Sequence, residues 1–90
     1  MSIELRISPI FTQYTNNQSV AEVNGSNLGE CLDDLMEQFP DIKPVLFNKD
    51  GRLHQYLDLY INGESCYPEE CARPTKDGDK LQLVMLIHGG

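Results

Sequence analysis

The residues of this 90-residue sequence with the most distinctive chemistry close it: Ile87-His88-Gly89-Gly90. Glycine is about 7% of average usage, so a closing pair arises by chance in roughly 0.5% of chains. Two glycines bring no side-chain packing and add backbone freedom, which leaves a structural reason hard to find. They offer a thin thread without β-carbons. At about 3.3 Å per extended residue, four residues reach roughly 13 Å beyond a fold, enough to enter a narrow channel in another protein. A terminal carboxyl at Gly90 would have a pKa near ~3.5, making it an anion and a poor electrophile at neutral pH. Transfer onto the AMP of ATP would turn it into a mixed anhydride with a good leaving group. A sulfur nucleophile could then displace AMP, and glycine obstructs that attack least.

The remaining reactive side chains form no comparable pattern. Cys31, Cys66 and Cys71 are an odd set in a sequence with no basic leader and hydrophobic stretch, which reads as reduced thiols in a cytoplasmic protein. The spacing of Cys66 and Cys71 is neither that of a redox pair nor that of a zinc knuckle, and a metal would have to recruit His54 or His88 from elsewhere. There is no nucleophile–base pair and no phosphate-binding glycine loop. The expectation is therefore a protein with no bound cofactor or metal, acted on by enzymes and not itself an enzyme.

A formal net charge of −7 opposes binding to nucleic acid or to anionic membranes. It suits a partner protein with a basic docking face, or serves solubility alone. The longest apolar run, Leu83 to Ile87, is too short to span a bilayer.

The elements that must carry the tail are legible from periodicity. Ile3, Leu5 and Ile7 alternate with polar residues and mark a strand with one buried face. Pro9 interrupts it, and Thr15-Asn16-Asn17-Gln18 supplies a turn. Ser19 to Val23 is a second strand, with Ala21 and Val23 favoured as inward over Val20. Leu28, Cys31, Leu32, Leu35, Met36 and Phe39 form one apolar stripe on an amphipathic helix, with Asp33, Asp34 and Glu37 outside. Asn27 and Glu30 suggest a capping box at its start, and Pro40 ends it. Residues 41 to 55 read as irregular, with a short turn at Val45-Leu46-Phe47 and a reversal at Asp50-Gly51. Leu57, Leu59 and Ile61 alternate with Tyr56, Asp58 and Tyr60 in a third strand, closed by Asn62-Gly63. Residues 64 to 76 read as a loop, with room for a short strand at Glu64 to Cys66. Asp77-Gly78-Asp79 then turns the chain into a last strand, Lys80 to Leu86.

One helix covers one face of a sheet, so strand-strand-helix-strands predicts an α+β protein of β-grasp type, with a mixed sheet and a right-handed crossover. The domain is expected over residues 1–86, with a flexible tail over 87–90. Leu81, Leu83 and Met85 should face the helix. Val84 and Leu86 should lie on the opposite, uncovered face, where adjacent aliphatics beside a functional terminus suggest a docking patch.

With these elements in place the chain resembles the ThiS/MoaD sulfur carriers, bacterial and archaeal relatives of ubiquitin. The resemblance rests on the opening Ile3-to-Ile7 strand, Leu28-Gly29 at the helix start, Tyr60-Ile61-Asn62-Gly63, Asp77-Gly78-Asp79 and Gly89-Gly90. Gly51-Arg52-Leu53-His54 looks most like the carriers that serve cysteine or homocysteine biosynthesis. The resemblance implies adenylation of Gly90 by an ATP-dependent, E1-like activating enzyme, with Gly89 threading its channel. ATP and the sulfur donor would be used by that partner, and a thiocarboxylate at Gly90 would deliver sulfur to a biosynthetic enzyme. In the amino-acid branch a zinc metalloprotease releases the product from the tail. Val84, Leu86, Ile87 and His88 are the expected partner-contacting residues; His88 stands where the family favours a small or apolar residue. Three other readings remain open: a small subunit of molybdopterin synthase, a modifier joined to lysines by isopeptide bonds, and a β-grasp interaction module in which the double glycine has no role.

Overall fold

Alternating apolar residues decide how each strand sits in the sheet. A computed structural model describes residues 3–66 and 72–85 of the chain. Five strands, β1 (Ile3–Ile7), β2 (Val20–Val23), β3 (Leu57–Ile61), β4 (Glu64–Ser65) and β5 (Lys80–Met85), form one mixed sheet in the order β2-β1-β5-β3-β4. β5 is central, parallel to β1 and antiparallel to β3. The register places Leu5 beside Leu81 and Ile7 beside Leu83, while Leu59 and Ile61 oppose Leu83 and Leu81. All six are buried, so the inward residues of the three middle strands make one apolar layer.

Helix α1 (Leu28–Gln38) covers that layer. Leu28, Cys31, Leu32 and Leu35 are fully buried, Phe39 follows at the helix C-cap, and Met36 is half-buried at the margin. The Asn27 side chain accepts the Glu30 amide at 2.8 Å, as its position before the stripe suggests. The Glu30 carboxylate reaches one residue further than a simple capping box, taking both the amide and the hydroxyl of Ser26 at 2.8 Å. These two donors hold its pKa below the ordinary carboxylate value. The architecture is the β-grasp, as the element order predicted.

Two segments are more ordered than their sequences suggested. Pro9–Tyr14 is a 3₁₀ helix that turns Phe11 into the core. The Thr15 side chain is also fully enclosed, where its hydroxyl donates to the Gln18 carbonyl at 2.8 Å. Residues expected to be irregular after Pro40 form a 3₁₀ turn (Pro40–Ile42) and the short helix α2 (Lys43–Leu46), which bury Ile42 and Leu46 completely. The Asp50-Gly51 reversal is present, and Phe47 and Leu53 pair across its base. Between β3 and β4, Asn62 adopts a φ of 51° and Gly63 one of 89°, the left-handed pair that closes a two-residue hairpin.

Candidate functional site at the end of the central strand

The site expected from sequence is built on β5. Because β5 lies between β1 and β3, its backbone is held on both sides, and Met85 is the last described residue before the expected tail. Leu86, Ile87, His88, Gly89 and Gly90 lie outside the described residues, as does Cys71. Of the expected partner-contacting residues, Val84 is placed. It lies on the face opposite α1 and is half-buried, directly across from Asp58. Gln82 follows two residues away on the same face, opposite Tyr60 and beside Arg6.

Asp58 was expected to point outward and does so without being exposed. Its relative exposure is 7%, because one carboxylate oxygen accepts the Leu59 amide at 2.8 Å and the other accepts the Ser65 hydroxyl at 2.9 Å. The carboxylate therefore fastens the two-residue edge strand β4 to β3. Sequence alternation identified its face but carried no signal of this enclosure.

The outer face ends in an open depression of about 430 Å³, lined by Glu4, Arg6, Asn62, Gly63, Lys80 and Gln82 together with Leu81. At its rim the Asn62 amide donates to Asp79 at 3.0 Å and the Lys76 backbone N–H donates to the other Asp79 oxygen at 2.9 Å. Both bonds hold Asp79 in its charged form, with a pKa below the usual carboxylate value.

The thiols that the structure describes are poor candidates for chemistry. Cys31 is fully buried beneath two loops, one carrying Gly25 and the other Thr75. Loss of solvent pushes its pKa up, which keeps it protonated and weakly nucleophilic. Cys66 is 2% exposed, and its amide bonds the Leu59 carbonyl at 2.8 Å. His54 stacks on Tyr56 and lies 3.2 Å from the Pro44 carbonyl, in a structural setting. Among the described residues no three of His, Cys, Asp and Glu gather as metal ligands, and no helix is long and apolar enough to cross a membrane.

Comparison with known proteins agrees with this architecture. The chain is similar to small archaeal modifier protein 1 of Haloferax volcanii, with 31% identity over 70 residues, 77% of each chain. Its fold superposes on a chain of the Amycolatopsis orientalis BexX/CysO complex with a TM-score of 0.88 and 26% identity, covering 98% of this chain and 99% of the other. Mycobacterium tuberculosis CysO gives a TM-score of 0.87 at 24% identity, covering 94% and 99%. No protein-family model matches the chain. The fold, with its central strand between β1 and β3, defines a ubiquitin-like β-grasp protein. The chain belongs to the ThiS/MoaD-type family of ubiquitin-like sulfur carriers and modifiers.

Proposed function

We propose that this protein carries sulfur as a thiocarboxylate on Gly90. The observation that supports this reading most is the Gly89-Gly90 sequence that follows the central strand of a family member's sheet, with Gly90 five positions after Met85. Five residues span at most about 18 Å, so a partner's active site can receive the glycines while the domain docks outside. Adenylation by an ATP-dependent enzyme makes the Gly90 carbonyl electrophilic. A sulfur nucleophile then forms the C–S bond, and AMP leaves with the anhydride oxygen. This chain supplies the acyl group, the thread and the docking face; ATP and the sulfur donor belong to the partner. The sulfur is passed on within a biosynthetic enzyme, and a metalloprotease processes the tail if the acceptor is an amino acid. The similarity to a chain of the BexX/CysO complex supports a carrier that assembles with a partner protein.

A second reading follows from the modifier to which the chain is 31% identical. The same adenylated Gly90 could be attacked by a lysine amine, giving an isopeptide bond. Both readings share the activation step and differ in the nucleophile. Incubation with ATP, an adenylating enzyme and sulfide, followed by intact-mass and fragmentation spectrometry, tests the first. The expected product has one oxygen replaced by sulfur at Gly90. Lysine-linked conjugates with no thiocarboxylate would replace the carrier reading with the modifier reading.

A further inference from the structure

One segment reverses the charge of the rest of the protein. The chain has a formal net charge of −7, and α1 holds Glu30, Asp33, Asp34 and Glu37 with no basic residue. Between residues 43 and 52, in contrast, Lys43, Lys49 and Arg52 face a single acid, Asp50. The three cations are exposed, and among the described residues none takes part in an ion pair.

The fold fixes this segment against an aromatic pair, an exposed Tyr56 on a half-buried His54. The His54 and Tyr56 rings stack with centroids 4.8 Å apart and an angle of 11°. His54 reaches the Pro44 carbonyl, and the Tyr56 hydroxyl donates to the Val45 carbonyl at 3.3 Å, so both rings are tied to α2. The His54 amide bonds the Leu46 carbonyl at 3.0 Å, and the Asn48 amide bonds the Arg52 carbonyl at 2.8 Å, which closes the reversal carrying Lys49. Tyr56 remains 38% exposed in this setting.

We propose that Lys43, Lys49, Arg52 and the His54–Tyr56 stack form a docking surface for an acidic segment of a partner protein. Screening confines electrostatic attraction to about 8 Å at physiological salt, so an approaching segment senses these three exposed cations, offset by Asp41 and Asp50, more than the net charge of the whole chain. Acidic side chains satisfy the cations, and the flat face of Tyr56 accepts an adjacent aliphatic group. A second copy of this chain is a poorer occupant, since each copy brings a net charge of −7. Nucleic acid is poorer too, because three cations neutralise few phosphates and Asp50 stands among them. The surface requires no chemistry at Gly90, so it stands or falls separately from the carrier reading.

The test is an amide-resolved NMR titration of the full chain with a synthetic glutamate-rich peptide bearing one central leucine. Saturable shifts confined to residues 43–56 are expected. Combined Lys43→Glu, Lys49→Glu and Arg52→Glu substitutions should weaken binding by roughly tenfold or more, with the sheet resonances unchanged. Tyr56→Ala should weaken it about threefold for the leucine peptide and little for a peptide of glutamates alone. No binding, shifts centred instead on Arg73, Lys76 and Lys80, or tighter binding of an oligothymidylate to residues 43–56 would each overturn the proposal.

Discussion

The Asn62 side-chain amide donates to the Asp79 carboxylate at 3.0 Å, joining the β3–β4 turn to the turn that launches β5. Asn62 also uses its carbonyl oxygen to accept the Lys80 amide at 3.0 Å. The central strand is thus tied at its beginning by a charged hydrogen-bond acceptor.

This arrangement gives stability a defined acid dependence. The folded state lowers the Asp79 pKa, chiefly through Asn62 and then through the Lys76 amide. Such a group stabilises the fold above its unfolded pKa of about 4, and that contribution disappears as pH falls through the lower folded value. Thermal melts between neutral and strongly acid pH should show this loss. Asp79→Asn should cost about 1–3 kcal/mol at neutral pH and flatten the acid-side decline. An unchanged acid profile in the variant would remove Asp79 from this role.

The α1 stripe makes a second measurable claim. Leu35 is fully buried between helix and sheet, and Leu35→Ala should lower unfolding free energy by about 2–5 kcal/mol. Denaturant unfolding measures this, and a loss below about 1 kcal/mol would contradict its place in the core.

The stripe also shows why much of the fold was legible. Its spacing and the alternation of Leu57, Leu59 and Ile61 are periodic signals set by local geometry, and they identified the buried face of each element. Phe11, Ile42 and Leu46 carried no such signal. Their segments span three to six residues, too few for a period to emerge, and what buries them is contact with distant elements. Asp58 was misleading for another reason: alternation assigns a face, while enclosure depends on Ser65 from a neighbouring strand. At the expected site, parity gave the face of Val84, while Gly89 and Gly90 lie outside the described residues. The basic end at residues 43–56 was not legible, because its parts combine only when α2 folds against Tyr56.

Gly25 tests how tightly the start of α1 is packed. A β-carbon there would stand 2.7 Å from the Cys31 amide nitrogen and 2.9 Å from the Glu30 carbonyl carbon. Backbone must move to admit it, so Gly25→Ala should destabilise the protein by about 1–3 kcal/mol. The Thr75 hydroxyl, which donates to the Gly25 carbonyl at 2.8 Å, should report the shift in an NMR spectrum. A variant as stable as the parent would show that the loop has slack.

Val84 probes whether the outer face of the sheet docks the proposed adenylating enzyme. Lysine there would stand opposite Asp58 on the neighbouring strand, so Val84→Lys adds an opposite charge beside a carboxylate and should preserve the sheet. Affinity for the adenylating enzyme should fall about tenfold or more if the outer face docks it. Equal affinity of the folded variant would move the docking site elsewhere.

The decisive prediction concerns the glycines themselves. Activation requires a free carboxyl at Gly90, so one residue added after it should block thiocarboxylate formation until a protease removes that residue. Gly89→Val keeps the reacting atom and adds a branched β-carbon to the thread, so it should slow adenylation by obstructing the partner's channel. Neither change alters a residue of the buried layer formed by Leu5, Leu59, Leu81 and Leu83. Deleting Gly89 and Gly90 should therefore abolish activation and leave thermal stability nearly unchanged. Cys31 and Cys66 offer no equivalent site, since both are enclosed in the fold. Restoration of a sulfur-requiring pathway by the shortened protein, or sulfur located by fragmentation on a cysteine instead of Gly90, would overturn the mechanism.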